Sequence, residues 1–380
     1  MKKSQKFLYF LMCVMFISIP MISYGESHQT LSLDSNQELP SIPTNGYIEL
    51  VALEQQDLHI KGSAYSFSSY PTIDRFKIQI SDFSTYVDAV SLSPAIQGFD
   101  VLIPHNSLGD ISDCLIKITP MIHDQMGYPL YYFHNSSLPL PSQSEVNVIG
   151  GGNLIGIASH FLGIMIERCG LKPTDNVLEV GCGLGRMAYP LTAYLAPNAR
   201  FEGFDIVPFL IQRASQNITP SHPNFNFQLA NIYNGMYNPQ GNVLSTEYIF
   251  PYANNSFDFV LLTSVFTHML PEEVKHYLKE IHRVLRPGGK CLMTFFLLDS
   301  ESQSLIEQGK SSANIRFPHG NECYVAEVNN LEAVVGYREN QLFLWILTNF
   351  QMKNWYKGHW CGRTSDCVSF QDILFLTKTE

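Results

Sequence analysis

The run Val177-Leu-Glu-Val-Gly181-Cys-Gly183-Leu-Gly185-Arg186 constrains this chain more than any other segment of its length. Apolar residues at strand length lead into an acid and then a G-x-G-x-G turn, the pattern of a buried strand feeding a tight bend at a ligand site. Glycine suits such a bend because a bound molecule lies almost against the backbone, where a Cβ would collide. A glycine-rich turn alone is a weak signal, so its flanks decide what it means.

Those flanks repeat strand, helix and strand. Leu184, Met187, Leu191 and Leu195 fall at helical spacing after the turn, with Pro190 predicting a kink. A second strand, Arg200-Phe-Glu-Gly-Phe204, ends at Asp205, 24 residues after Gly181. An acid so placed can hydrogen-bond both hydroxyls of a ribose. A third strand, Asn226 to Leu229, runs into Ala230-Asn231-Ile232, and a fourth, Phe257 to Leu262, opens into Thr263-Ser264-Val265-Phe266-Thr267-His268. Pro271 starts a helix with Val274, Tyr277, Leu278, Ile281 and Leu285 on one face. Arg286-Pro287-Gly288-Gly289 stops it, and Lys290 to Phe296 reads as a fifth strand. Such alternation implies a mostly parallel sheet with helices on both faces.

With VLEVGCGLGR, the acid of GFDIV, FDFVLLTSVFTHM and VLRPGG before a strand, residues 147–380 resemble a class I S-adenosylmethionine-dependent methyltransferase of the type 11 kind. The resemblance implies a Rossmann-like seven-stranded sheet whose last two strands form an antiparallel hairpin, with 371–377 as the final strand. It also implies roles. Glu179 and the Gly181, Cys182, Gly183 and Gly185 turn hold the methionine part of S-adenosyl-L-methionine. Asp205 takes the ribose diol beside Ile206, Asn231 and Ile232 take the adenine edge, and Thr263 and Ser264 border the reacting methyl. Asn231 stands where many members carry Asp. A nicotinamide-binding fold is the competing reading. It wants G-x-G-x-x-G, whereas Arg186 occupies the last small position here and the third glycine comes one residue early.

A net charge of −10 becomes −13 once Lys2, Lys3 and Lys6 are set aside, and no basic run appears elsewhere. That balance argues against a nucleic-acid partner, which needs a cationic face. Residues 1–25 read as a secretory signal: those three lysines, an apolar stretch from Phe7 to Ile22, and Ser23-Tyr24-Gly25 before a cut. Export to the periplasm or medium follows as an expectation, with an uncleaved membrane anchor as the alternative. Seven cysteines lie beyond the leader, an odd number without scaffold spacing. Cys361 and Cys367 could bridge across a hairpin loop, and no cysteine or histidine spacing points to a metal.

Residues 26–45 are polar and expected to be poorly ordered. Residues 46–135 carry short alternating runs such as Ile73-Asp-Arg-Phe76-Lys-Ile78-Gln-Ile80, which predict a small antiparallel β-sandwich. Residues 136–146, with Ser136-Ser-Leu-Pro-Leu-Pro-Ser142, read as a linker. The β module either packs on the enzyme as a spacer or binds a glycan or other partner. Against the latter, all three tryptophans (Trp345, Trp355, Trp360) lie outside it.

The acceptor is expected to be a small molecule or glycoconjugate. Three segments reach the ligand crevice beyond the strand ends: Tyr233 to Tyr252, Ser300 to Asn321, and Gly358 to Arg363. His268 is the first candidate base because it follows the fourth strand. His319 and His359 are weaker candidates, and Tyr252 could orient an acceptor. A non-catalytic protein keeping the fold as a scaffold, its β module binding a partner, is the alternative.

Overall fold

The structure is a computed structural model describing residues 44–54, 57–66, 72–108, 111 and 113–379. The leader and residues 26–43 lie outside the described residues. Thr44 and Asn45, expected in the poorly ordered stretch, instead begin a strand and are buried.

The α/β part is built on seven strands: β1 (Val177–Val180), β2 (Phe201–Asp205), β3 (Phe225–Leu229), β4 (Phe257–Leu262), β5 (Leu285–Phe295), β6 (Phe350–Tyr356) and β7 (Asp372–Lys378). Their order is β3-β2-β1-β4-β5-β7-β6. The first five pair in parallel, and β7 inserts antiparallel between β5 and β6. Every residue of β1 and β2 is buried, as expected for parallel strands covered on both faces. Alternation divides them: Leu178 and Val180 join the core under helix Pro271–Val284, whereas Val177 joins the core under helix Leu154–Glu167. Strand order reverses between β1 and β4, which sets the ligand crevice beyond their carboxyl ends.

Three local expectations change. The helix after the glycine turn spans only Ala188–Thr192, so Pro190 lies in a first turn, where no N–H is needed, and no kink results. Strand β5 begins at Leu285, paired with Phe257, and residues 286–289 bulge out before Lys290 pairs with Phe259. The stretch after β5 is no plain loop. Helix Ser300–Glu307 is followed by a four-stranded sheet ordered Leu297–Leu298, Val335–Arg338, Cys323–Val325, Phe317–His319. Strands of two to four residues carry too little alternation to be read from sequence.

The N-terminal part holds two antiparallel sheets. One contains Thr44–Glu54, Asp57–Ser66, Gln97–Pro104 and Val90–Ser91; the other contains Phe83–Asp88, Arg75–Ile80, Cys114–Ile122 and Gln125–Met126, with Leu130–His134 also paired to Cys114–Ile122. Leu58 and Ile60 of the first share a core with Phe76, Ile78, Ile116 and Ile118 of the second. This module lies on helix Leu154–Glu167. The Phe133 N–H donates to Ser159 Oγ at 2.9 Å, and Arg168 donates to the Thr44 carbonyl at 3.1 Å. Cys361 and Cys367 are both free thiols rather than a bridge. Cys361 is buried in the small core with Phe296 and Trp360, while the Cys367 thiol donates to the Ser365 carbonyl.

Candidate cofactor site

The bend after β1 is held open by backbone geometry. Gly181 and Gly185 have φ of 73° and 79°, in the left-handed region. A Cβ at Gly181 would stand 2.4 Å from Val265 Cγ2, and one at Gly185 2.9 Å from Ile218 Cδ1. The Gly181 and Cys182 N–H groups donate to the Phe204 carbonyl, tying the bend to the end of β2. Cys182 is buried over Gly203, and burial pushes its thiol well above the usual range, which marks it as packing.

A cavity of about 270 Å³ opens beside this bend. Glu179, Gly181, Cys182, Gly183, Asp205, Ile206, Ile232, Thr263, Ser264 and His268 all line it. Asp205 faces it with its carboxylate fixed: Oδ2 accepts from Gly183 N–H at 2.8 Å and Oδ1 from Val207 N–H at 2.9 Å. Each oxygen keeps lone-pair capacity for a ribose hydroxyl. Burial raises its pKa, opposed by those same N–H groups.

Glu179 is the anomaly of the site. It is 2% exposed, its Oε2 has no partner, and burial, with Asp205 adding, raises its pKa well above the ordinary value. The nearest cation, Arg186, donates to the carbonyls of Ile149 and Gly151 at 3.0 and 3.1 Å, while its Nε is unpartnered. Burial lowers the Arg186 pKa to about 10. A buried carboxylate without a partner, beside a cavity, is chemically suited to a cationic ligand group.

Other candidates are placed differently. Asn231, expected at the adenine edge, is exposed and outside the lining; its carbonyl accepts the N–H groups of Asn242 and Val243. Asn234 lines the cavity instead, but its amide is spent on Met236, Tyr237, the His268 carbonyl and Glu332. His268 faces Tyr237 and the segment around Glu332. Its Nδ1 bonds the Glu332 carbonyl at 3.1 Å and its Nε2 lies 3.4 Å from the Tyr237 hydroxyl, so neither nitrogen is bare. Tyr252 packs in the core against Phe257 and misses the cavity. His319 sits on the small outer sheet, and His359 lines a second cavity.

Tyr237, in the segment expected to reach the crevice, lines the cavity, whereas sequence reasoning gave Gln371 no role at the site. The Gln371 side-chain oxygen accepts from Ser264 Oγ at 3.2 Å and Thr294 Oγ1 at 2.6 Å, bracing the turn where Ser264 adopts φ of 60°. No motif announces Gln371; only the insertion of β7 beside β5 brings it there.

Residues 178–293 match a family model described as a methyltransferase domain. The match covers about a third of the chain and marks that stretch as a methyltransferase domain. Its cofactor is S-adenosylmethionine, and the open cavity, the Asp205 carboxylate and the unpartnered Glu179 fit a ribose and a cationic methionine portion. The match runs from β1 into β5, leaving the β module outside it. A 2-phytyl-1,4-naphtoquinone methyltransferase of Nostoc sp. is 26% identical over 131 residues, 34% of this chain and 51% of the relative. A demethylmenaquinone methyltransferase of Symbiobacterium thermophilum is 27% identical over 129 residues, 33% of this chain and 45% of the relative. The chain thus spans about half the length of these curated relatives. A solved SAM-dependent methyltransferase of Methanosarcina mazei is 18% identical, with a TM-score of 0.40 over 57% of this chain and 97% of its own.

Proposed function

We propose that this protein transfers the methyl group of S-adenosylmethionine to a small-molecule acceptor. The observation that carries the reading is the cavity beside the glycine bend, walled by a fixed Asp205 carboxylate and an unpartnered, buried Glu179. The sulfonium supplies an electrophilic methyl when the cofactor is bound, so the chain's task is alignment and exclusion of water. The acceptor's nucleophilic atom bonds to the methyl carbon as the carbon–sulfur bond breaks, the electron pair staying on sulfur, and any acceptor proton must leave. The names of two relatives mention quinones. The leader in residues 1–25 extends the proposal to an exported enzyme, tested by N-terminal sequencing of protein recovered outside the cytoplasm.

Labelled methyl transfer to candidate acceptors, paired with S-adenosylhomocysteine titration, tests the reading. Asp205→Ala should weaken binding by roughly 1–3 kcal/mol, the cost of unsatisfied polar contacts. Tight binding of S-adenosylhomocysteine with no transfer to any acceptor favours a scaffold protein. Binding of a nicotinamide dinucleotide in its place refutes the assignment.

A further inference from the structure

A second cavity, of about 350 Å³, lies between the β module and the α/β domain. One wall is the module's Thr44 to Glu49 and Tyr128 to Tyr132, and another is helix Leu154–Glu167. Arg186, Thr263, Ser264, Phe370 and Gln371 line both this cavity and the cofactor cavity. The two spaces therefore meet at Thr263 and Ser264, the residues expected to border the reacting methyl.

We propose that this second cavity is the methyl-acceptor site, completed by the β module, and that its ligand is an uncharged, planar aromatic molecule carrying a hydroxyl group. The inference rests on the methyltransferase reading above. Six Tyr and Phe side chains line the walls: Tyr47, Tyr128, Tyr131, Tyr132, Phe161 and Phe370. Flat, apolar faces of this kind favour a ring that can stack or meet them edge-on.

Two charged groups in the lining, Arg168 and Glu167, are already engaged, and Arg186 spends its Nη2 on the carbonyls of Ile149 and Gly151. The Arg168 guanidinium lies between the rings of Tyr128 and Tyr356, at 4.5 and 4.9 Å, and donates to the Thr44 carbonyl. Glu167 accepts the Tyr131 hydroxyl proton and pairs with Lys117 at 3.6 Å. Besides the Arg186 Nε, two side chains, His160 and Gln371, have polar capacity left for a ligand. His160 stacks on Tyr47 at 5.3 Å, and its Nε2 lies 2.9 Å from the Val368 carbonyl. A carbonyl only accepts, so Nε2 carries the proton and Nδ1 is a bare acceptor that calls for a donor such as a hydroxyl. Burial lowers the His160 pKa to about 4, keeping the ring neutral. Gln371, 7% exposed, has its oxygen committed to Ser264 and Thr294, which leaves its amide N–H groups for an acceptor on the same ligand.

The test uses the full chain loaded with S-adenosylhomocysteine and 2-naphthol as a fluorescent probe. Wild type should bind 2-naphthol saturably. Ile157→Trp, which fills the cavity from the helix side, should abolish that binding. His160→Ala should weaken 2-naphthol about tenfold while leaving naphthalene, which lacks the hydroxyl, unaffected. All variants should keep wild-type affinity for S-adenosylhomocysteine, which also reports their folding. If Ile157→Trp fails that control, Tyr47→Ala on the opposite wall replaces it and should weaken both aromatic probes. Loaded wild type that ignores 2-naphthol, or a variant at either wall that binds it unchanged, overturns the acceptor site alone. Failure to bind S-adenosylhomocysteine overturns the methyltransferase reading beneath it.

Discussion

Glu179→Gln separates what the site contributes to stability from what it contributes to binding. The wild-type carboxyl is 2% exposed, its Oε2 is unpartnered, and its pKa is raised well above 4.5. The folded protein therefore holds a proton that the unfolded chain releases near 4.5. Stability is fully present below that value and falls as pH rises toward the folded pKa. Glutamine keeps the shape and removes the titration. The variant should melt at a higher temperature than wild type at about pH 8, with the difference vanishing at low pH. Binding should move the other way. A charge-assisted hydrogen bond to a cationic ligand is worth roughly 1.5–3 kcal/mol, so affinity for S-adenosylmethionine should drop by about 10- to 150-fold. Wild-type affinity should also rise with pH, as ionisation of Glu179 becomes part of binding. Thermal scans and calorimetric titrations from about pH 5 to pH 9 read both effects. A variant with unchanged melting and unchanged affinity would refute the reasoning.

Arg363 is buried among Asp372, Asp299 and Glu301, at 3.2, 3.0 and 3.0 Å, so Arg363→Ala should cost roughly 3–5 kcal/mol in a denaturant titration. A loss below about 1 kcal/mol would mean the cluster is solvated like a surface pair. Gly181→Ala forces a left-handed backbone and a contact 2.4 Å from Val265 Cγ2, so it should abolish S-adenosylhomocysteine binding. Asn231→Ala should leave that affinity unchanged, because the side chain lies outside the cavity; a tenfold loss would return Asn231 to the adenine edge.

The parallel sheet was legible because strands such as Val177–Val180 and Phe257–Leu262 are mostly apolar, and because the glycine bend and Asp205 mark where two of them end. Helix Pro271–Val284 was equally plain, with a proline start and one apolar face. The small sheet after β5 was hidden because its strands are two to four residues long. The exposure of Asn231 was not legible because position along the chain does not fix side-chain direction: Ile232 turns into the cavity while its neighbour faces solvent. Gln371 and His160 were invisible for another reason. Each acquires its role through partners far away in sequence, Thr294 for one and Val368 for the other.

A crystal structure of the protein soaked with S-adenosylhomocysteine tests the central claim most directly. The nucleoside should lie in the cavity beside Gly181, with its ribose hydroxyls about 2.6–3.2 Å from the Asp205 carboxylate. Ligand density elsewhere, or an Asp205 turned away from it, would contradict the account.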